Sequence, residues 1–430
     1  MVHTTIYCSL KNNKYRMSEY KKRTKCAICG GEEFVTVLNY GEVSLAGFFP
    51  KEDQLNNIKT YELSLLYCPT CHLLQSNSIV EADYLFKDYR YLSSVSLQKH
   101  FNEYSKYLIE YFNLNSNSKV LEIGSNDGVL LKPLNDSGIL AKGFEPSDNV
   151  SKIAIDRGCD IIHDYFNFEN AQKYCVKNSF DLITASNTFA HVDDIQSVVK
   201  GIHYALKEDG CFIFEVHYGK NIIEELQYDN VYHEHIYYYT VTALKYLFDM
   251  NNMTIVNVDE IPLHSGSIRV IVFNKVEPVN EKIVQVLEKE KLLGVDTPKY
   301  YDDFKNRVLI HQHELYKCLI GIKNKGYNIA GYGASGRANM LCNFNNIDNT
   351  LIDYIIDESP ERYGRYINNI PILSSDKLNI NTDYIVIFAW NYSKMIISKL
   401  INNYDFTYII PFPDIRIINR IDEIEDINTL

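Results

Sequence analysis

Residues 231–240 read VYHEHIYYYT, in a chain with only 12 histidines. His233 and His235 flank Glu234, with Tyr232, Tyr237, Tyr238 and Tyr239 alongside. Such a triplet serves as a metal site, an acid/base cluster or a satisfied polar patch. Two histidines at i and i+2 with no third ligand in view make a weak metal site. An imidazole that titrates near neutrality suits proton abstraction. Alternation along an extended segment would place His233 and His235 on one face and Glu234 on the other.

Four of the 10 cysteines fall in two pairs, Cys26-x-x-Cys29 and Cys68-x-x-Cys71. Four thiolates in a tetrahedron satisfy Zn²⁺ and leave no open position, so the expected role is structural. Gly30 and Pro69 suit the two knuckle turns; two redox CxxC motifs are the competing reading. So short a segment has little core of its own, and the metal would supply the missing stability. The N-terminal residues lack the apolar stretch of an export signal, so reduced thiols and a cytoplasmic setting are expected.

The chain has 430 residues, 46% hydrophobic and 23% charged, with a net charge of -12. This is ordinary soluble composition, sufficient for two or three domains. The charge argues against a nucleic-acid partner, which needs a basic face. No apolar run is long enough for a membrane span.

Something must position these residues, and the middle of the chain supplies it. SKVLEIG, AKGFEP, FDLITASN and CFIFEV read as buried strands, with helix-like segments between them. That rhythm predicts a parallel sheet covered on both faces. MTIVNVDEI and SIRVIVFN read as an antiparallel pair at its edge. LEIGSNDG turns from strand to helix with Glu122, Gly124, Ser125, Asn126 and Gly128, and open α/β sheets bind ligands at such turns. Glu145, before Pro146, ends the next strand where a carboxylate can accept from two ribose hydroxyls. The turn lacks GxGxxG spacing and carries Asp127, which would repel a pyrophosphate. S-adenosylmethionine has a positive sulfonium and no phosphate, and fits better.

A second turn, GYGASG from Gly331 to Gly336, does match GxGxxG, with Asp357 at the end of the following strand. Gly333, Ser335 and the adjacent Arg337 predict a phosphate site. A dinucleotide and a nucleoside diphosphate fit it equally well, and Asn339 lies one helical step on.

These pieces together resemble the nucleotide-sugar C-methyltransferases that act on 4-keto-deoxyhexoses. The resemblance runs from residue 26 to about 415. It rests on the CxxC pairs, the YxYxSSxS stretch Tyr89–Ser96, LEIGSNDG, FEPS, NTFAHVDD, YHEH, SGSIR and GYGASGRANMLCNF. It implies an α/β chain in three parts: a zinc-binding module, a class I S-adenosylmethionine methyltransferase domain of Rossmann-like fold, and a C-terminal Rossmann-like nucleotide-sugar domain. The expected boundaries are a disordered tail over 1–25, the zinc module over 26–88, the methyltransferase domain over 89–278, and a helical connector with the C-terminal domain over 279–430.

The resemblance implies His235 as the base, assisted by Tyr232 and Glu234. It also implies His191 near the methyl donor and Tyr89 or Tyr91 holding substrate. Asn187 joins the cofactor residues; His233, Ser94, Ser96, His264 and Arg269 join the substrate residues. The implied substrate is a dTDP-, CDP- or GDP-linked 4-keto-6-deoxy sugar, methylated at carbon 3 by a monomer or dimer. Three positions depart from the family pattern: Arg337-Ala338 where Lys-Gly is usual, His217 where proline is common, and Ser265 for glycine. Competing readings are a sugar O-methyltransferase, an NAD-dependent oxidoreductase or epimerase using GYGASG, and a zinc-dependent scaffold.

Overall fold

The computed structural model describes residues 20–87, 92–378, 381–401 and 404–419. Two seven-stranded sheets organise it. The first contains β1 (Lys119–Ile123), β2 (Leu140–Phe144), β3 (Asp160–Ile162), β4 (Phe180–Ser186), β5 (Leu206–His217), β6 (Thr254–Ile261) and β7 (Ser267–Phe273). Their order is β6-β7-β5-β4-β1-β2-β3. β1 to β5 are parallel, whereas β7 runs antiparallel between β5 and β6. The late pair is therefore antiparallel, as expected, but only β6 is an edge. The strand order reverses between β1 and β4, which puts the ligand crevice at their carboxyl ends.

The second sheet contains β8 (Ile329–Tyr332), β9 (Tyr354–Asp357), β10 (Tyr366–Ile367), β11 (Ile370–Ser374), β12 (Tyr384–Ile387), β13 (Thr407–Ile410) and β14 (Arg416–Ile418). The order is β10-β11-β9-β8-β12-β13-β14, with parallel central strands and antiparallel outer ones. Helices Glu281–Leu293 and Pro298–Lys323 join the two sheets. Ile283, Val286 and Leu287 of the former pack on the core of the first sheet.

The N-terminal segment forms a wedge between these halves. Strands Val35–Val43, Tyr61–Tyr67 and Leu74–Ser76 make an antiparallel sheet whose fourth strand is Tyr237–Tyr238. Its residues have no separate core. Cys26, Ile28, Cys68 and Leu73 belong to the cluster of the first sheet. Leu63, Leu65 and Tyr67 belong to a second cluster shared with Tyr228, Tyr301, Leu341 and Phe412. Each fully buried leucine there contributes roughly 1.5–3 kcal/mol. Tyr20–Lys22, inside the expected tail, is a strand paired with Ser78–Val80.

Candidate active site

At the end of β1, Gly124 has φ +69° and Gly128 has φ +78°. A Cβ on Gly124 would stand 2.4 Å from Thr188 Oγ1, so only glycine fits. The Asn126 amide donates to Glu145 Oε2 at 2.8 Å, and Ser147 caps the other carboxylate oxygen. Glu145 thus holds the turn while lying at the end of β2. Glu122 Oε2, Ser125 Oγ, Ser186 Oγ and Asn187 Oδ1 are buried without a protein partner, all at the carboxyl ends of β1 and β4. Buried polar atoms are normally paired, so this group fits a polar ligand in the crevice. Burial, with Glu145 and Asp127 nearby, raises the Glu122 carboxyl well above its ordinary range.

Asp127 does not serve as expected. Its carboxylate is fully buried, pairs with Arg157 at 3.1 Å and accepts from the Ser94 hydroxyl. Arg157 offsets its charge through Oδ2, while Oδ1 is buried without a protein partner among the described residues. Ser94, expected on substrate, instead ties the start of helix Ser93–Tyr111 to this turn, together with the Ser93 amide on Asn126 Oδ1. Tyr89 and Tyr91 lie outside the described residues, as does the side chain of Ser96.

The YHEH segment is a turn, not a strand: the His235 amide donates to the Tyr232 carbonyl at 3.0 Å. The alternation expected from its pattern therefore fails. His233 turns toward the N-terminal wedge, donating to the Glu62 carbonyl at 3.3 Å and packing on the Tyr61 ring. That contact replaces the expected one with substrate. Glu234 accepts from the Gly47 amide at 3.4 Å; among the described residues neither it nor any other carboxylate is hydrogen-bonded to His235. His235 instead faces the first sheet. Its Nδ1 lies 3.2 Å from the Asn230 carbonyl and its Nε2 lies 3.0 Å from the Tyr232 hydroxyl. A carbonyl only accepts, so Nδ1 carries the proton and Nε2 keeps its lone pair.

Around that ring stand other imidazoles. The centroid of His191, just beyond β4, is 5.0 Å from that of His235; His217, ending β5, is 5.1 Å away; His264 is 5.5 Å beyond His217. Burial first, then repulsion from His191 and His217, holds His235 well below the usual imidazole range. Burial likewise pushes His191 and His264 down to about 4. All are neutral at pH 7. His217 is the residue that sequence reasoning undervalued; its sole signal was standing where proline is common.

The buried tyrosines tether this turn. Tyr237 donates to the Asp193 carbonyl at 2.5 Å and Tyr239 to the Phe189 carbonyl at 3.1 Å, while Tyr238 accepts from the Tyr232 amide at 3.2 Å. On the other side, the Ser76 amide donates to the Ile236 carbonyl at 2.8 Å.

The four Sγ atoms of Cys26, Cys29, Cys68 and Cys71 lie within 4.8 Å of one another. Gly30, at φ +73°, and His72, at φ +62°, turn the two knuckles. Four sulfurs at this spacing fit tetrahedral Zn²⁺ and leave no room for a further ligand.

The second glycine turn is built differently from the expected phosphate cradle. Gly333 crosses Ala389 closely: a Cβ added there would stand 2.6 Å from the Ala389 Cβ. Gly336 packs on Ala46 of the wedge, and the Ser335 hydroxyl caps its own helix by accepting from the Ala338 amide at 3.2 Å. Asn339 donates to the carbonyls of Leu45 and Ala46, so it docks the wedge instead of meeting substrate. Asp357 accepts from the Ala334 and Ser359 amides and pairs with Arg362 at 2.9 Å. Arg337 makes a bidentate pair with buried Asp229, at 2.9 and 2.8 Å, under the Trp390 ring. Its fork is occupied by a carboxylate, not held open for phosphate. Arg269, expected on substrate, is bound to Glu215 at 2.6 Å and stacked on Tyr104 and Tyr107. His100 joins Glu215 at 2.8 Å.

Three family models match in series: "Putative zinc binding domain" over 26–86, "Methyltransferase domain" over 97–258 and "C-methyltransferase C-terminal domain" over 262–413. C-methyltransferase NovU of Streptomyces niveus is 27% identical over 409 residues, covering 92% of this chain and 97% of its own. Among solved structures, an S-adenosylmethionine-dependent methyltransferase from Clostridium acetobutylicum is 14% identical with TM-score 0.33, covering 42% of this chain and 92% of that one. Magnesium protoporphyrin IX methyltransferase from Synechocystis is also 14% identical, with TM-score 0.32, covering 42% and 80%.

The crevice at β1 and β4, the thiolate cluster and the methyltransferase model define an enzyme that binds zinc and uses S-adenosylmethionine to transfer methyl groups. Within that class, the chain is similar to a C-methyltransferase over 92% of its length and carries a match to the C-methyltransferase C-terminal domain over 262–413. No helix among the described residues is long and apolar enough to cross a membrane.

Proposed function

We propose that the chain methylates a carbon, carbon 3 by family resemblance, of a nucleotide-linked 4-keto-6-deoxy sugar, with His235 as the base. The observation that carries this reading is the fixed tautomer of His235: Nδ1 is spent on the Asn230 carbonyl and Nε2 is basic. A carbon becomes a nucleophile only by losing a proton, and the acidity of a C–H beside a ketone makes that feasible. Nε2 takes this proton, and the electron pair moves toward the ketone oxygen. The Tyr232 hydroxyl, 3.0 Å from Nε2, is placed to turn from the base to that oxygen and stabilise its charge. His191, packed against His235, closes the cofactor side and keeps the site dry.

Glu122, Gly124, Ser125, Asn126, Gly128, Glu145, Pro146 and Asn187 would hold the cofactor, which when bound supplies an electrophilic methyl on a sulfonium. The cysteine module holds the base in place through the sheet it shares with Tyr237–Tyr238. The nucleotide diphosphate falls to the C-terminal part, where Gly333 and Ser335 form the glycine turn. For Arg337 to join it, the Asp229 pair must open. Incubation with S-adenosylmethionine and dTDP-, CDP- and GDP-linked 4-keto-6-deoxyhexoses in deuterated water tests the reading. A new C–CH₃, with deuterium at the same carbon of recovered substrate, supports it. Methyl on oxygen, or none moved, overturns it.

A further inference from the structure

Transfer of a methyl cation from a sulfonium to a C–H carbon turns a cationic donor into a neutral thioether and releases one proton per turnover. On the reading above, that proton arrives on His235 Nε2. His235 is only 7% exposed, and its other nitrogen is committed to the Asn230 carbonyl. The proton therefore needs a way out before the next turnover.

We propose that His217 and His264 form a proton-exit relay from His235 to solvent; this rests on the assignment of His235 as base. The three rings stand in file, 5.1 and then 5.5 Å between centroids. That spacing is bridged by a direct N–H···N bond or one water. Neither His217 nor His264 donates to or accepts from a protein group through its ring among the described residues, so both nitrogens of each are available. The file ends in the turn 262–266, where Pro262 is exposed.

The groups facing this file are few. His191 and Tyr232 stand at its inner end; His100, Glu215 and Arg337 flank its outer end. Burial first, with repulsion from neighbouring imidazoles and Arg337, keeps all its members neutral, and a neutral imidazole both donates and accepts. The step is balanced. The C–H bond breaks, its pair goes toward the ketone oxygen, and its proton goes to His235 Nε2. The proton then passes to one nitrogen of His217, which releases its other proton to His264, and His264 releases one to water.

The test uses the full zinc-loaded chain with S-adenosylhomocysteine and a 4-keto-6-deoxyhexose nucleotide in deuterated water. Exchange of the hydrogen beside the ketone requires both abstraction and escape of the proton. A single turnover with S-adenosylmethionine requires abstraction alone. For His217→Asn and His264→Gln we expect exchange slowed at least about tenfold and restored by added imidazole, with single-turnover transfer reduced by a smaller factor than exchange. Unchanged exchange in both variants overturns the relay. Equal loss of exchange and transfer without imidazole rescue also overturns it, since His217 would then act in abstraction itself. Should His217→Asn fail to bind S-adenosylhomocysteine, His217→Gln and the His264 variant decide the matter. An unsubstituted enzyme that neither exchanges nor methylates any of the three nucleotide sugars removes the base assignment, and the relay with it.

Discussion

Tyr237 and Gln75 are register partners in one antiparallel sheet. Gln75 lies four residues beyond Cys71, and Tyr237 two beyond His235. The thiolate cluster and His235 are therefore joined by a few residues of hydrogen-bonded backbone. A module with closed-shell metal coordination does no chemistry itself, but here it fixes the segment that carries the proposed base.

Removal of the metal follows from that link. Treating the full chain with a strong chelator, or making Cys68→Ser, should abolish most methyl transfer and lower Tm by roughly 5–10 °C, because metal binding is part of the folding free energy. Activity assays and calorimetry before and after zinc readdition check this. Full activity in a demonstrably metal-free chain would show that the module does not support the turn.

The glycine turn offers a steric prediction. Gly124→Ala places a Cβ 2.4 Å from Thr188 Oγ1 on backbone at φ +69°. Cofactor affinity by calorimetry should fall at least about tenfold, with roughly 1–3 kcal/mol lost from stability.

The Arg337–Asp229 pair predicts non-additivity. Asp229 is 1% exposed, so Arg337→Met leaves a buried carboxylate uncompensated and should cost about 3–5 kcal/mol. Adding Asp229→Asn should recover part of that loss in denaturant unfolding, as contacting residues couple. Additive losses would mean that the two residues act separately.

Acid stability carries a sign that can be checked. His233 is held down to about 4 by burial, whereas an unfolded histidine titrates near 6.5. As pH falls below about 6.5 the unfolded chain binds a proton that the native fold refuses, so stability present above that value drains away toward pH 4. Glu122 and Glu234, with raised carboxyls, pull the other way. Comparison of parent and His233→Gln cancels their contribution: the variant's Tm should fall less steeply between pH 7 and 5. Parallel slopes would contradict the burial of a neutral imidazole there.

The alternating strands and helices were legible because each buried strand is a short apolar run closed by a turn residue. LEIGSNDG and the two CxxC pairs were legible because backbone geometry and metal ligation demand particular residues at fixed spacing. What escaped was the direction of single side chains. The period-two reading of His233 and His235 failed because the Tyr232–His235 turn breaks the alternation. Their positions beside the two glycine turns make Ser94, Asn339 and Arg337 look like ligand contacts. Their actual partners, Asp127, the Leu45–Ala46 carbonyls and Asp229, lie far away in sequence. His217 was visible only as an unusual residue, since its neighbours His235 and His264 come from other elements.

The central claim is that His235 Nε2 strips a proton from carbon. The most direct measurement is single-turnover transfer of labelled methyl from S-adenosylmethionine to a 4-keto-6-deoxyhexose nucleotide by His235→Asn, with cofactor binding measured on the same sample. The account predicts cofactor affinity within about twofold of the parent and transfer slowed by roughly 10²–10⁴. Transfer at the parent rate by a chain lacking that imidazole would contradict it.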